Sequence, residues 1–177
     1  MKQEKLFLYT LDLKYIRDLH NADDRVLSIS PQTNKSNRPF VGVVIVIDKL
    51  QYCIPLSSPK EKHLHMKNDV DFSRIIVENK IIGVLNFNSM IPVDSSVISR
   101  LNLKLSLSDS IADKSYKLLC AKELDWVQKN QDAIVRKANK LYNMIITGKA
   151  NNNLRKRCLD FQKLEKVLYS HERANKQ

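Results

Sequence analysis

Residues 40–56, FVGVVIVIDKLQYCIPL, carry the clearest structural signal in the chain. Residues 40–47 form a nearly unbroken run of β-branched side chains, Asp48-Lys49 is typical of a turn, and residues 52–56 form a second apolar run. Two such runs around a short polar turn predict an antiparallel β-hairpin. Its packed interior would consist largely of Val and Ile side chains.

Shorter strand signals lie on both sides of this hairpin. Residues 6–10 alternate in side-chain character and predict a first strand, and Asp12 is placed to cap a short helix after it. Residues 74–77 and 81–87 are separated by a polar turn and predict a second hairpin. The first half of the chain therefore has the pattern of a sheet.

The second half has the pattern of helices. Asp113 or Ser115 is placed to cap one long helix, whose apolar stripe continues to Ile145 and which Gly148 would end. A further helix, capped by Asn152 or Asn153, would carry an apolar face made of Leu154, Cys158, Phe161, Leu164 and Leu168.

Strands followed by helices predict an α+β domain, in which helices pack against an antiparallel sheet. The 177 residues suffice for one domain with a core of its own, and no repeat or clean linker divides them. We therefore expect a single domain over residues 1–177, sheet-rich in residues 1–112 and helical in residues 113–177.

The charge of the chain is strongly positive and unevenly placed. The formal net charge is +11, and residues 114–177 contain 15 Lys and Arg against 6 Asp and Glu, a net of +9. Such a surface favours a polyanionic partner, above all nucleic acid, because each neutralised phosphate releases counterions. The plainer interpretation is a soluble basic surface with no such partner.

Cysteine usage and the lack of targeting signals indicate the compartment. Cys53, Cys120 and Cys158 are odd in number, far apart and set among apolar neighbours, so they are expected to be buried, reduced thiols. The N-terminal apolar run is too short for a signal peptide, and no stretch approaches the roughly 20 apolar residues of a membrane span. These features predict a cytosolic protein without a membrane partner.

A polar loop framed by two prolines follows the first hairpin. Residues 55–63, PLSSPKEKH, contain two hydroxyls, Lys60 near Lys62, and His63. The prolines restrict the backbone on both sides of the serines. A rigid backbone with hydroxyls and cations suits a phosphate-handling loop, although an ordinary polar turn has the same composition.

Metal and nucleotide-cofactor chemistry find little support in the sequence. His63 and His65 lack acidic or cysteine partners at the spacings of zinc sites, and Asp69 and Asp71 are more typical of a solvated turn. The three glycines are isolated, so no glycine-rich phosphate loop is present. We therefore expect neither a metal ion nor a cofactor.

Metal-free RNA cleavage is compatible with the same residues. RNA carries its own nucleophile, the 2′-hydroxyl, so an enzyme needs to align it, move protons and stabilise the charge on the phosphate. Lys60 offers a cation to the non-bridging oxygens, while Ser57 and Ser58 offer hydrogen bonds. His63 is a candidate proton carrier, because an imidazole titrates near neutral pH.

Several segments in a fixed order resemble one protein family. They are residues 8–10 (LYT), 40–45 (FVGVVI), 51–54 (QYCI), 55–60 (PLSSPK), 83–87 (GVLNF) and 90–93 (MIPV), followed by the long basic helical part. This order resembles the ToxN and AbiQ family, the endoribonuclease toxins of type III toxin–antitoxin systems. The similarity spans almost the whole chain, and the PLSSPK segment is its most specific part.

The resemblance implies a compact, strongly bent antiparallel sheet like that of the MazF and Kid toxins, with peripheral helices. It implies sequence-selective, metal-independent cleavage of single-stranded RNA, cellular or phage mRNA included, to a 2′,3′-cyclic phosphate. The inhibitor would be a small pseudoknotted antitoxin RNA, which the toxin processes from its precursor. Protein and RNA would alternate in a closed oligomer in the bacterial cytoplasm, where the system would serve abortive phage defence or plasmid maintenance.

The resemblance assigns Ser57, Ser58 and Lys60 to the catalytic segment, the serines as phosphate contacts and the lysine as charge stabiliser or proton handler. The RNA-binding residues expected from the resemblance and from the basic C-terminal half are Tyr9, Tyr15, Lys35, Arg38, Lys62, His63, Arg155, Lys156 and Arg157. Lys62 stands where some relatives carry an aromatic residue, so base stacking is not expected there.

Two other classes of function remain open at this point. One is a non-catalytic RNA- or DNA-binding module, in which the serine–lysine loop only contacts phosphate. The other is a structural interaction protein whose basic surface is incidental. Toxicity that Ser58→Ala or Lys60→Ala relieves would distinguish an enzyme from both.

Overall fold

The computed structural model of the chain describes residues 3–26 and 41–174, in which strands come first and helices follow. The strands are β1 (Leu8–Leu11), β2 (Val41–Ile47), β3 (Leu50–Ser57), β4 (Phe72–Val77), β5 (Lys80–Asn86), β6 (Ile91–Val93) and β7 (Ile98–Arg100). The helices are α1 (Leu13–Ala22), α2 (Lys62–His65), α3 (Ile111–Lys129), α4 (Gln131–Ile146), α5 (Asn152–Arg157) and α6 (Phe161–Ala174). The predicted α+β class is confirmed.

The strands form one antiparallel sheet in the order β4-β5-β3-β2-β1-β7, with β6 paired to β3. Strand β3 changes one of its neighbours along its length. Its residues 51–53 pair with β6, whereas Leu56 and Ser57 pair with Leu85 and Val84 of β5. The last two residues of β3 are therefore held by a different strand from its first half. The likeness to MazF and Kid stays a prediction.

Both predicted hairpins are present, with bounds that differ by a few residues. Strands β2 and β3 pair from Gly42–Pro55 to Ile47–Leu50, and Asp48 turns the chain with a φ of 55°. Strands β4 and β5 are joined by Glu78 and Asn79, whose φ values of 50° and 59° match the tight turns that suit twisted hairpins.

The prediction of a single long helix over residues 113–148 is wrong in two respects. It begins earlier, because Ser110 caps α3 and Asp113 is the reciprocal partner in the capping box. It also divides at Asn130, whose side-chain Nδ2 donates to the Trp126 carbonyl at 2.8 Å while its backbone leaves the helical region. The predicted stop at Gly148 is confirmed by its φ of 73°.

The single C-terminal helix predicted from the sequence is likewise divided into two helices, α5 and α6. Both contribute residues to the same buried apolar face. Asn151, rather than Asn152 or Asn153, caps α5 by accepting a hydrogen bond from the Leu154 N–H at 2.9 Å. The chain then turns before Phe161, where α6 begins. The predicted apolar face is confirmed, since its residues Leu154, Cys158, Phe161, Leu164 and Leu168 are all buried.

Helix α6 is attached to the sheet by a buried polar network. Glu165 accepts hydrogen bonds at one carboxylate oxygen from the hydroxyls of Tyr52 on β3, at 2.5 Å, and Tyr142 on α4, at 2.7 Å. Burial, followed by the Glu165 hydrogen bond, raises the pKa of both phenols. This network ties β3, which carries the serine–lysine loop, to two helices of the C-terminal half.

The three cysteines are buried and form no disulfide, as predicted. Among the described residues, no helix combines the length and the apolar character needed to cross a bilayer.

Candidate active site

The catalytic segment predicted from the sequence lies where β3 ends. Ser57 is half-buried, and its Oγ accepts a hydrogen bond from the Asn86 Nδ2 of β5 at 2.9 Å. Ser58 and Lys60 follow in the loop and are both exposed. The structure therefore places the three predicted catalytic residues together at the surface, with Ser57 fixed by the neighbouring strand.

The loop after Ser58 is closed by two reciprocal hydrogen bonds. The Lys60 N–H donates to Nδ1 of His63 at 2.8 Å, and the His63 N–H donates to the Lys60 carbonyl at 2.8 Å. The His63 ring packs on Phe72, with 5.2 Å between ring centroids. This arrangement fixes the backbone from which the Lys60 side chain projects.

His63, which the sequence analysis predicts to bind RNA, is largely buried in the structure, and its contact with RNA stays a prediction. The residue is 5% exposed, and its Nδ1 is occupied as the acceptor for the Lys60 N–H. Burial lowers the pKa of His63, and the charges of Lys62 and Lys60 lower it further. His63 therefore holds the loop as a neutral imidazole at neutral pH.

Two clefts flank the end of β3. The smaller, here called the serine cleft, measures about 180 Å³ and is lined by Val41, Leu56, Ser57, Ser58, Tyr116, Leu119, Cys120 and Glu123. The larger, here called the loop cleft, measures about 360 Å³ and is lined by Lys62, His63, Met66, Lys67, Asp69, Asp71, Phe72, Asn86, Asn88 and Arg157. Because Asn86 bonds Ser57, that serine connects the two clefts.

The register of β3 and β5 shows which face of the sheet Leu56 and Ser57 each occupy. Ser57 lies opposite Val84, so it shares the face of Asn86. Leu56 lies opposite Leu85 and shares the face of Gly83. Extending the alternation by one residue places Ser58 on the Gly83 face, where it lines the serine cleft.

Glu123 of α3 is a functional candidate that sequence reasoning missed. It is 4% exposed, lines the serine cleft and lies over Gly83, where a Cβ would collide with its Oε1. Burial raises the pKa of Glu123 to about 7. The available signal was an acidic residue inside the apolar stripe that Cys120 and Val127 continue.

Lys62 and Arg157 are far apart in the sequence, but in the structure both line the loop cleft. The Arg157 Nε donates to Oδ2 of Asp71 at 2.9 Å, and the Asp71 side chain is only 8% exposed. This hydrogen bond raises the pKa of Arg157. A half-exposed guanidinium held by a buried carboxylate is a well-oriented group for an anionic ligand.

The other predicted RNA-binding residues have different surroundings. Arg155 and Lys156 are exposed in the last turn of α5, and the Arg155 guanidinium donates to the Gly148 carbonyl. Tyr9 is half-buried in β1. Lys35 and Arg38 lie outside the described residues.

The substrate contact predicted for Tyr15 is corrected. The side chain is completely buried, and its hydroxyl donates to the Pro92 carbonyl at 2.7 Å. Tyr15 is therefore a core residue that joins α1 to β6.

Within residues 3–26 and 41–174, no group of three or more His, Cys, Asp and Glu side chains is arranged to hold a metal ion. The candidate chemistry of the described site consists of hydroxyls, exposed lysines, an imidazole and a buried carboxyl.

Comparison with known proteins gives the same assignment at three levels. Residues 7–169 match the family described as Toxin ToxN, type III toxin–antitoxin system. The endoribonuclease ToxN of Pectobacterium atrosepticum is 30% identical over 145 residues, which is 80% of this chain and 82% of that protein. The endoribonuclease ToxN of Bacillus thuringiensis subsp. kurstaki is 30% identical over 161 residues, 89% of this chain and 79% of that protein.

Comparison with solved structures leads to the same family. A type III toxin–antitoxin structure that describes selective toxin inhibition by a non-coding RNA pseudoknot superposes with a TM-score of 0.77 at 28% identity, covering 96% of this chain and 99% of that one. AbiQ, a lactococcal anti-phage endoribonuclease, shares the fold with a TM-score of 0.80 at 24% identity over 96% and 99% of the two chains. The chain belongs to the ToxN toxin family of type III toxin–antitoxin systems.

Proposed function

We propose that this protein is an endoribonuclease that cleaves single-stranded RNA by attack of the 2′-hydroxyl, without a metal ion, to give a 2′,3′-cyclic phosphate and a 5′-hydroxyl. The observation that carries the proposal is the cluster of Ser57, Ser58 and Lys60 at the end of β3, between two clefts. The named endoribonucleases among its relatives support the class of reaction.

The geometry supports distinct roles for the two serines. Ser57 Oγ already accepts a hydrogen bond from Asn86, and its O–H remains available as a donor to a phosphate oxygen. Ser58 is exposed on the other face and offers a second donor from the side of the serine cleft. An RNA phosphate at the end of β3 would receive both.

Lys60 would stabilise the charge that builds on the scissile phosphate. Its side chain is exposed, while its backbone is fixed by the reciprocal hydrogen bonds to His63. A preorganised cation costs no rearrangement during the reaction, which is where electrostatic catalysis gains most.

The loop cleft would hold a nucleotide next to the cleaved bond. Lys62 and Arg157 offer positive charge there, and the Asp71 bond uses only the Nε of Arg157, so its terminal amino groups remain for a phosphate. The cleft volume of about 360 Å³ and the amides of Asn86 and Asn88 suit a splayed nucleotide with base-edge hydrogen bonds.

The inhibitor would be a small pseudoknotted RNA that the toxin cuts from its own precursor and that binds the basic C-terminal part. Support comes from the excess of Lys and Arg in residues 114–177 and from the RNA inhibitor of a structural relative. Arg155, Lys156 and Arg157 would contribute to this surface, in a closed assembly of alternating protein and RNA. The system would act in the bacterial cytoplasm against phage or in plasmid maintenance.

The test is cleavage of a single-stranded RNA by the purified chain in EDTA, with analysis of the product ends. We expect cyclic phosphate ends in the wild type and loss of cleavage in Ser58→Ala and Lys60→Ala, with both variants still binding RNA. Binding of RNA or DNA without cleavage in the wild type would instead support the non-catalytic module. Cleavage that EDTA abolishes would overturn the metal-independent chemistry.

A further inference from the structure

We propose that Glu123 is the general base of the cleavage reaction, accepting the proton of the attacking 2′-hydroxyl in the serine cleft. This inference rests on the proposed function and deepens it, since the serine–lysine segment supplies hydrogen bonds and charge but no assigned proton acceptor. The observation behind it is a buried carboxyl that lines the same cleft as Ser58.

The position of Glu123 is set by the sheet beneath it. Its carboxyl lies over Gly83, and only the missing side chain at Gly83 leaves room for Oε1. Gly83 shares its face of the sheet with Leu56, the neighbour of Ser57, and by alternation with Ser58. Strand register and helix packing therefore direct the carboxyl towards the end of β3.

Among the described residues, no contact holds the Glu123 carboxyl in place through a hydrogen bond or an ion pair. Glu123 is 4% exposed, yet no described residue donates a hydrogen bond or an ion pair to it, and burial alone shifts its pKa. Ionisation of a carboxyl in such surroundings opposes folding, because the charged form loses hydration. Carboxyls with raised pKa values are concentrated at functional sites, where their proton chemistry is used.

The step balances without any further reagent. The carboxylate takes the proton of the 2′-hydroxyl as the bond from O2′ to phosphorus forms. The bond from phosphorus to O5′ then breaks, and the departing 5′-oxygen takes a proton from water or from a second group. The products are the cyclic phosphate and the 5′-hydroxyl, and no electrons are exchanged with an outside donor.

Few other titratable groups face this carboxyl from the described elements. Helix α3 contributes Tyr116 and Cys120, β4 contributes the apolar Ile75, and β3 and β5 contribute serine hydroxyls, apolar side chains and Gly83. His63 lies on the loop cleft and not on the serine cleft. A change in pH response on replacing Glu123 can therefore be assigned to that residue.

The experiment compares Glu123→Gln with Asp125→Asn in single-turnover cleavage of one RNA. Asp125 is an exposed carboxylate two residues along the same helix, in an ion pair with Lys129, and makes a matched control. We expect the cleavage rate of Glu123→Gln to fall by about 100-fold or more, the usual contribution of a general base. Its RNA affinity should be unchanged, and it should show no loss of thermal stability. Asp125→Asn should keep the wild-type rate.

The pH profile separates proton transfer from support of the fold. From pH 6.5 to 8.5 the wild-type rate should rise and then level as the carboxylate forms, and the Glu123→Gln rate should be flatter. A wild-type rate that is independent of pH would overturn the inference. A Glu123→Gln rate within about twofold of the wild-type rate would also overturn the inference, because the loss of a general base lowers the rate by much more than that.

A modified substrate tests whether the carboxyl acts as base or as acid. RNA with a bridging 5′-sulfur has a leaving group that needs no proton, so Glu123→Gln should stay slow on it. Restored rate would assign Glu123 to the leaving group and overturn its role as base. If Glu123→Gln does not fold, Glu123→Ala takes its place, and a wild-type rate there overturns the inference.

The same series distinguishes the two levels of the proposal. A wild-type protein that produces no cyclic phosphate would overturn the proposed function itself. A wild type that produces it, beside an equally fast Glu123→Gln, would overturn only the assignment of the base.

Discussion

The backbone N–H of Lys60 donates a hydrogen bond to Nδ1 of His63 at 2.8 Å, so the residue proposed to carry the catalytic charge is positioned by a buried imidazole. The bond requires Nδ1 to be unprotonated, because a backbone N–H is only a donor. The position of Lys60 is thereby linked to the protonation state of His63.

This link predicts a difference between two replacements of His63. Asn offers a side-chain oxygen near the place of Nδ1, so His63→Asn should keep most of the cleavage rate. His63→Leu removes the acceptor, leaves the Lys60 N–H unpaired at a cost of about 1 kcal/mol and should lower the rate at least about tenfold. Single-turnover cleavage at pH 7.5 measures both. Equal rates would show that the hydrogen bond does not position Lys60.

The same link predicts a response to acid. The folded-state pKa of His63 is lowered below the ordinary 6.5, so the unfolded chain takes up protons first as the pH falls. The stability contributed by the neutral ring is complete above about pH 6.5 and is lost as the pH falls through the folded pKa. Urea unfolding from pH 5 to 7.5 should show a shallower decline for His63→Asn than for wild type.

Lys60 should matter through its charge at a fixed place. Lys60→Ala should lower the cleavage rate about 100-fold or more, comparable to the loss of one preorganised transition-state contact. Lys49, exposed in the turn at the other end of the β2–β3 hairpin, provides the control, and Lys49→Ala should cleave at the wild-type rate. Retained rate in Lys60→Arg would assign the lysine a purely electrostatic role, and its loss would indicate proton transfer.

Gly83→Ala tests the serine cleft without altering an ionisable group. The added methyl would collide with the Glu123 Oε1, the mobile end of a side chain, so the carboxyl should shift and the fold should persist. We expect about tenfold slower cleavage with little change in melting temperature. A rate equal to wild type, with a crystal structure showing the carboxyl displaced, would contradict a role for its position.

How much of the fold could be predicted depended on whether the signal was local. The β2–β3 hairpin is encoded in adjacent β-branched runs, and the Gly148 stop in one residue of unusual backbone freedom. The break between α3 and α4 depends on how Asn130 bonds the preceding turn, and the apolar stripe runs through it without a change of period. Sequence period alone therefore predicted one helix in place of two.

The residues of the candidate site likewise fall into those that a local sequence signal indicates and those that only the fold brings together. Ser57, Ser58 and Lys60 lie within one four-residue segment, so the local sequence could indicate them. The nearness of Glu123 to Ser58 depends on the β3–β5 register and on the packing of α3, which no local pattern reports. Tyr15 shows the opposite error, since an aromatic residue looks alike in sequence whether it packs in the core or contacts RNA.

The Glu165 network should contribute to the free energy of unfolding and have no effect on the cleavage rate. Tyr52→Phe removes a buried hydroxyl that donates to the carboxylate at 2.5 Å and should cost about 1–3 kcal/mol, the usual value for a hydrogen bond to a charged group. Tyr142→Phe should cost less, because that phenol is only half-buried. Urea unfolding measures both, and a cost near zero for Tyr52→Phe would contradict the network's role.

The basic surface should reveal itself in the salt dependence of RNA binding. Replacing a lysine that contacts phosphate removes about one released counterion, so Lys62→Gln and Lys156→Gln should each flatten the slope of log K against log salt by just under one unit. Lys129, paired with Asp125 on the exposed side of α3, provides the control. Because the effect is a change of slope, it is separable from any loss of folded protein, which would lower affinity equally at every salt concentration. Unchanged slopes for both variants would place the RNA elsewhere on the protein.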